Sequence, residues 1–111
     1  MAINYKILGQ VVPSAANTYT QLYPCGTGKQ AICSSLTVAN LSTDDVLYRV
    51  RVRQAGAAAD NKQIIVYDTA AAAGISQALQ LSMTLDSGDI VEVYASSTSI
   101  AFNLFGSEVD K

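Results

Sequence analysis

Apolar and basic side chains alternate strictly along the chain from Tyr48 to Arg53. Successive side chains of a β-strand point to opposite faces of a sheet, whereas a helix would spread the basic side chains around its surface. The pattern therefore predicts a strand with one face in a hydrophobic core and the other face in solvent. The predicted core positions are Tyr48, Val50 and Val52, and the predicted outward positions are Arg49, Arg51 and Arg53.

Other segments combine alternating or continuous apolar positions with the β-branched and aromatic residues that strands favour. They are residues 3–12, 18–23, 30–40, 63–68, 78–85, 90–95 and 100–106. Gly9 predicts a bulge or bend in the first of them, because glycine weakens regular pairing. Segment 63–68 is apolar on both faces, so we expect it to be central in a sheet or covered by a partner.

Clusters of turn-forming residues separate these segments. They lie at residues 13–17, 24–29, 40–45, 86–89 and 95–99, and they are rich in Pro, Gly, Asn, Asp and Ser. The alanine-rich segment 69–74 is expected to form a loop with at most one helical turn, because so few alanines cannot hold a helix in water. The polar tail 107–111 is expected to be mobile.

The order of these elements defines the predicted fold class. Short strands separated by turns are typical of an all-β protein, and no long segment has the 3.6-residue period of a helix. We predict an antiparallel, jelly-roll-like β-sandwich with about eight strands. The length of 111 residues predicts a single domain over residues 1–111.

The composition favours packing against other proteins. Half of the residues are apolar and only 14% are charged, so the surface must consist mostly of small polar side chains that repel a partner weakly. The formal net charge of −2 is too small to predict binding to nucleic acid or to a membrane. We expect no secretory signal peptide.

Candidate chemistry is scarce in the sequence. There is no histidine to act as a general base or to complete a zinc site with Cys25 and Cys33. We therefore expect no enzymatic activity, no metal and no cofactor. The two cysteines are expected to be buried or half-buried thiols, with a disulfide as the alternative.

Two further patterns have structural explanations that we prefer. Residues 26–29 (GTGK) resemble a phosphate loop only faintly, because the required earlier glycine and the following Ser or Thr are missing, and a hairpin turn is expected instead. Two pairs of aspartates are expected to bond backbone N–H groups in turns, with calcium binding as the alternative. These pairs are Asp44 with Asp45 and Asp86 with Asp89.

The row Arg49, Arg51 and Arg53 has two competing interpretations. Such a row forms a solvated face when carboxylates such as Glu92 lie on neighbouring strands. Alternatively, it forms a docking face for an acidic partner protein, since guanidinium groups bind carboxylates through paired hydrogen bonds. Nucleic acid is a poor partner, because no aromatic residues are interleaved for base stacking.

Several segments together resemble a known group of proteins. They are residues 5–10 (YKILGQ), 35–40 (SLTVAN), 85–96 (LDSGDIVEVYAS) and 102–106 (FNLFG). They are similar to small virion structural proteins of tailed bacteriophages, many from phages of cyanobacteria and other aquatic bacteria. The chain departs from them at residues 24–26 (PCG), where relatives more usually carry a turn such as VPAG.

The resemblance implies a β-sandwich within the virus particle and carries over no catalytic residues. We expect a capsid decoration (cement) protein, assembled in the host bacterial cytoplasm, that binds the major capsid protein or another virion protein. A tail, neck or fibre component is the alternative, and a carbohydrate-binding module is a weaker one. We also expect a homo-oligomer, for which a trimer is possible, and strand 3–12 would pair with a neighbour if it lies at a sheet edge.

Overall fold

The computed structural model describes residues 3–111. Nine strands account for most of this part of the chain, and two short 3-10 helices, Gln54–Gly56 and Asn61–Gln63, lie between the fourth and fifth strands. The strands are β1 (Ile3–Val11), β2 (Thr20–Pro24), β3 (Lys29–Asn40), β4 (Val46–Arg53), β5 (Ile64–Ala71), β6 (Ser76–Leu79), β7 (Met83–Leu85), β8 (Ile90–Ala95) and β9 (Ile100–Asp110).

The strands form two antiparallel sheets. One has the order β1-β9-β3-β6, with β7 also paired to β3, and the other has the order β2-β8-β4-β5. Most connections cross from one sheet to the other, and β4 and β5 form a pair within one sheet. If β6 and β7 are counted as one interrupted strand, this is the eight-strand order of a jelly roll. The predicted fold class is confirmed.

The core lies between the two sheets and is built from the inward positions that alternation predicts. Phe102 and Leu104 of β9 and Tyr48 and Val50 of β4 belong to this core, and all four side chains are fully buried. The rings of Tyr48 and Phe102 meet edge to face, with 6.0 Å between their centroids. Burial of each large apolar side chain contributes roughly 1.5–3 kcal/mol, so these inward rows provide most of the stabilisation.

Gly9 produces the bulge that the sequence predicts. The register of β1 against β9 shifts between Ile7 and Gly9. At Gly9 the chain comes so close to β2 that an added Cβ would lie 2.1 Å from the carbonyl oxygen of Leu22. Only glycine permits this approach between the two sheets.

The predicted strand 78–85 is two strands. Leu36 to Ala39 of β3 pair with β6, and Ala31 to Cys33 pair with β7. The register of β3 against β9 shifts between Cys33 and Ser35, so β3 bends where the two short strands separate.

Two segments that we expected to be irregular are strands. Thr69 to Ala71 continue β5, because Val46 to Tyr48 of β4 pair with them. Residues 107–110 continue β9 between β1 and β3, so the expected mobile tail is wrong. In both cases the backbone hydrogen bonds offered by a neighbouring strand outweigh local propensity.

Two further expectations are corrected by the topology. β5 lies at the edge of its sheet, so of the two alternatives for segment 63–68 the central position is wrong, and cover by a partner stays a prediction. The turn at 24–29 has Gly28 at a φ of 75°, but it joins strands of different sheets and is not a hairpin. It is held instead by the turn between β7 and β8, because the backbone N–H of Cys25 donates to the carbonyl of Asp89 over 2.8 Å.

Candidate functional site

The outer face of the β2-β8-β4-β5 sheet carries all three predicted site residues, Arg49, Arg51 and Arg53. We call this surface the arginine face. Its position follows from the alternation of β4, because Tyr48 and Val50 are fully buried on the inner side. The arginine side chains are only partly exposed, at 16–23%, so they lie along the sheet.

A β-bulge places two residues of β5 opposite Arg49. The pairs on either side of it are Tyr48 with Thr69 and Val50 with Val66. Tyr67 and Asp68 therefore both face Arg49, which is the two-against-one arrangement of a bulge. Asp68 has a φ of 45°, a left-handed conformation that Asp tolerates better than most residues.

The bulge gives Arg49 an ion pair and an aromatic neighbour at once. Its Nε donates to Asp68 Oδ1 over 2.6 Å, and its Nη2 donates to Asp68 Oδ2 over 3.2 Å. Its guanidinium carbon lies 4.5 Å from the ring centroid of Tyr67 and 4.3 Å from that of Tyr94. Arg49 is therefore held by two tyrosine rings and a carboxylate, so its orientation is fixed.

Glu92 of β8 is shared by the other two arginines. Arg51 Nε donates to Glu92 Oε1 over 2.7 Å, and Arg53 Nε donates to the same oxygen over 3.1 Å. The Glu92 side chain is 12% exposed, so this pairing is largely screened from solvent. The structure therefore contains the cross-strand carboxylate that the solvated-face interpretation requires. The docking interpretation stays a prediction.

The arginines differ in the hydrogen-bond donors that they leave free. Arg53 uses its Nε and both Nη groups within the chain, since Nη1 donates to the carbonyls of Gly56 and Ala57 while Nε and Nη2 donate to Glu92. Within residues 3–111, Arg51 bonds through Nε alone, and its guanidinium carbon lies 3.6 Å from the ring centroid of Tyr19. Both Nη groups of Arg51 remain available for a carboxylate of another molecule.

Charge pairing changes the titration of the Arg49–Asp68 pair. The hydrogen bonds from Arg49 hold the pKa of the Asp68 carboxyl below its ordinary value. The same bonds raise the pKa of Arg49. Both groups therefore stay ionised at neutral pH, and the face keeps its alternation of positive and negative groups.

A groove of about 550 Å³ runs beside the arginines. Its lining combines aromatic, basic and polar side chains, among them Tyr19, Arg49, Arg51, Asp60, Asn61 and Tyr67. The hydroxyl of Tyr19 is buried and has no hydrogen-bond partner in the described part of the chain. The groove therefore offers guanidinium donors and aromatic surface to an acidic or polar ligand.

The expectation that no aromatic residues are interleaved with the arginines is wrong, because tyrosine rings contact Arg49 and Arg51. Tyr19, Tyr67 and Tyr94 come from three separate segments, and only the pairing of β2, β8, β4 and β5 brings them together. Glu92 was predicted, because it is an outward residue of a predicted strand. Asp68 had no usable signal, since the bulge reverses the direction that simple alternation assigns to it.

A second polar cluster lies where β9 passes between β1 and β3. Lys6 Nζ donates to Glu108 Oε1 over 2.8 Å, and the hydroxyl of Tyr23 donates to Glu108 Oε2. These bonds, that from Lys6 first, lower the pKa of Glu108, while burial and the bond to Glu108 raise the pKa of Tyr23. Such mutually satisfied groups indicate a structural role for this cluster.

The remaining candidate residues occupy structural positions. Cys25 and Cys33 are buried free thiols, and burial raises the pKa of Cys33 to about 11. Asp45, Asp86 and Asp89 each accept a hydrogen bond from a backbone N–H group, as we expected of turn aspartates. The expectation is wrong for Asp44, whose hydrogen bonds in the described structure all involve its backbone.

Two other kinds of feature are absent from residues 3–111. No group of three or more His, Cys, Asp or Glu side chains is arranged to hold a metal ion there. No helix in the same range is long and apolar enough to cross a membrane.

Comparisons with solved structures identify the fold as one found in a virus particle. The alignment with a chain of the T13 particle of infectious bursal disease virus covers 96% of this chain and 30% of the viral chain, with a TM-score of 0.58 and 8% sequence identity. The alignment with a structure of the Gx strain of that virus covers 96% of this chain and 32% of the viral chain, with a TM-score of 0.56 and 10% sequence identity. This chain thus spans about a third of the matched chains, and at such identities the likeness shows the fold alone.

Weaker comparisons add no further conclusion. A pentameric capsid protein from metagenomic phage sequences aligns with 96% of this chain and 64% of its own length, at 13% identity, but the TM-score of 0.41 is too low to support an argument. No family model and no curated protein matches the chain.

Proposed function

We propose that this chain is a non-enzymatic structural protein of a bacteriophage virion, and more specifically a capsid decoration protein. The observation that carries the proposal is the jelly-roll order of the two sheets, together with the structural alignment of 96% of the chain, at a TM-score of 0.58, with a chain of an icosahedral virus particle. The sequence resemblance to virion proteins of tailed phages supports the same class and indicates the kind of virus.

The arginine face is the proposed contact with the shell. Arg49 and Arg53 are held by the protein's own carboxylates, so they maintain the shape of the surface. Within the part of the chain that the structure describes, Arg51 keeps two free Nη groups beside the groove, where an acidic side chain of the major capsid protein would bind. Because the three arginine side chains are already held in place within the chain, docking of a partner costs little side-chain entropy.

The position on the particle is tested by stoichiometry. Mass spectrometry of purified particles is expected to find hundreds of copies, as a protein that covers the shell requires. A count of tens or fewer would instead place the chain in the tail, neck or fibre and would contradict the decoration role. Absence of the chain from the particles would contradict the virion role altogether.

The contact surface is tested by substitution of Arg51. Arg51→Gln is expected to lower the particle occupancy at least several-fold, because the free guanidinium donors are lost while Glu92 keeps its bond to Arg53. Lys62→Gln removes the same charge from an exposed residue and serves as the matched control. Equal occupancy of both variants would remove the docking role from Arg51, provided that circular dichroism shows both to be folded.

One observation favours a second candidate, a carbohydrate-binding module. Tyr67 is 62% exposed and lies at the groove together with Asp60 and Asn61, and sugars bind to such combinations of aromatic and polar surface. A glycan array that shows saturable binding, lost in Tyr67→Ala, would favour this function. No binding on the array would leave the structural role as the proposal.

A further inference from the structure

The outer edge of β1 is open in residues 3–111. β1 is the terminal strand of the β1-β9-β3-β6 sheet, and among the described strands of that sheet it pairs with β9 alone. An open edge presents unpaired backbone N–H and C=O groups to another strand. On the outer face of this edge, three large apolar side chains are exposed: Ile3 at 55%, Tyr5 at 86% and Ile7 at 49%.

The other sheet edges carry features that hinder strand addition. β6 has only four residues, β2 ends at Pro24, and β5 is bulged at Asp68. Short length, proline and bulges all protect an edge. The bulge of β1 comes after Ile7, so residues 3–7 keep a regular edge without proline.

The sequence of this edge is self-complementary. Residues 3–7 read Ile-Asn-Tyr-Lys-Ile, so apolar and polar positions are symmetric about Tyr5. In an antiparallel pair of two copies centred on Tyr5, Ile3 faces Ile7 of the second copy. Asn4 then faces Lys6, so that no like charges meet across the pair.

Charge does not oppose this pairing. The ammonium group of Lys6, the one basic side chain of residues 3–7, is bound to Glu108 of its own chain at 2.8 Å. Opposed Ile and Tyr side chains stabilise a cross-strand pair, in addition to the backbone hydrogen bonds. A two-fold axis through Tyr5 would bring the same surface of each copy into the interface, as in most homodimers.

We propose that two copies of this chain associate through β1, antiparallel and centred on Tyr5, to form one continuous sheet across the dimer. The interface is small beside the roughly 1,200–2,000 Å² of a stable complex. The dimer is therefore weak in dilute solution and is favoured where many copies are held close together. This proposal does not rest on the virion role, because it concerns the isolated chain.

Sedimentation velocity over a wide concentration range tests the association. The wild type is expected to shift from monomer to dimer with rising concentration, and Ile7→Lys to weaken the dimer by at least about tenfold. Ile65→Lys is the matched control, because Ile65 lies on the other sheet's edge strand β5 and is 47% exposed, against 49% for Ile7. A wild type that stays monomeric throughout, or equal effects of both variants, would overturn the proposal.

A cysteine pair tests the register. Residue 5 faces its own copy across the axis, where Cα atoms of opposed strand residues lie about 4.5–5.5 Å apart, within the range of a disulfide. Tyr5→Cys is therefore expected to form a covalent dimer under mild oxidation. Asn4→Cys is the control, because the two copies of residue 4 would be about 8 Å apart. Cross-linking of Asn4→Cys without that of Tyr5→Cys would exclude this register.

Discussion

Asp68 binds Arg49 through two hydrogen bonds, of 2.6 and 3.2 Å, while its own backbone lies in the left-handed region at a φ of 45°. The ion pair thus depends on a strand irregularity. Without the bulge, Asp68 and Tyr67 would alternate to opposite faces of β5 and only one of them would reach Arg49. The arginine face is built as much by this bulge as by the alternation of β4.

The conformation of Asp68 predicts an unusual order of stabilities. Asp68→Gly is expected to be more stable than Asp68→Ala by about 1 kcal/mol, because only glycine adopts a positive φ without strain. At Ala70, which has an ordinary strand conformation, Ala→Gly is expected to destabilise the protein by about 0.5–1 kcal/mol. Urea unfolding measures the free energies of unfolding of the wild type and the three variants. If alanine were more stabilising than glycine at position 68 as well as at position 70, the left-handed conformation of the bulge would be contradicted.

Glu108 predicts a pH-dependent contribution to stability. Its pKa is lowered from an ordinary value of 4.5 by the bonds from Lys6 and Tyr23, so its stabilisation is complete above that value and is lost as the pH falls through the lower folded pKa. Glu108→Gln is expected to cost about 1–2 kcal/mol at neutral pH and much less once the wild-type carboxylate is protonated.

Urea unfolding of wild type and variant between neutral and acidic pH measures this effect. Asp44→Asn is the control, because the hydrogen bonds that Asp44 makes in the described structure come from its backbone. A Glu108→Gln deficit that stays constant down to strongly acidic pH would show that the charge of Glu108 is not what stabilises the fold.

The close approach at Gly9 predicts that the single methyl group added by Gly9→Ala strongly destabilises the fold. In Gly9→Ala the new Cβ would lie 2.1 Å from the Leu22 carbonyl oxygen, so β1 must move away from β2. A loss of about 2–3 kcal/mol, or failure to fold, is expected. At Gly26 the nearest atom to an added Cβ is 3.8 Å away, so Gly26→Ala is the control and should change the thermal midpoint little.

The buried cysteines predict protection from thiol reagents. Burial raises the pKa of Cys33 to about 11 and also raises that of Cys25, so little reactive thiolate forms at pH values near 8. Native protein is expected to react with a disulfide reagent only as fast as it unfolds, and both thiols to react at once in urea. The exposed residue Ser34 gives the control, since Ser34→Cys should be labelled immediately. Rapid native labelling of the wild type would contradict burial.

The sequence predicted those parts of the fold that depend on alternation. β4 and β8 have one buried and one outward row, so their faces follow directly from their residues. The positions of the arginines and of Glu92 follow in the same way. The jelly-roll class follows from the number and spacing of such segments.

What the sequence did not show depends on neighbours. Thr69 to Ala71 are poor strand formers, and they are extended because β4 supplies partners for them. Residues 107–110 look like a tail, but β1 and β3 bind them on both sides. The bulge at Asp68 turns both Asp68 and Tyr67 toward Arg49 without any distinctive residue pattern, so the sequence did not predict this part of the arginine face.

The place of β9 has a consequence for how the molecule is made. This strand, Ile100–Asp110, lies between β1 and β3, so one whole sheet lacks its middle until translation has passed residue 110. The earlier strands of a nascent chain can collapse and pair in part, but the sandwich cannot form completely while β9 is still inside the ribosome. Prematurely terminated products therefore lack a closed core and are excluded from any assembly that requires one.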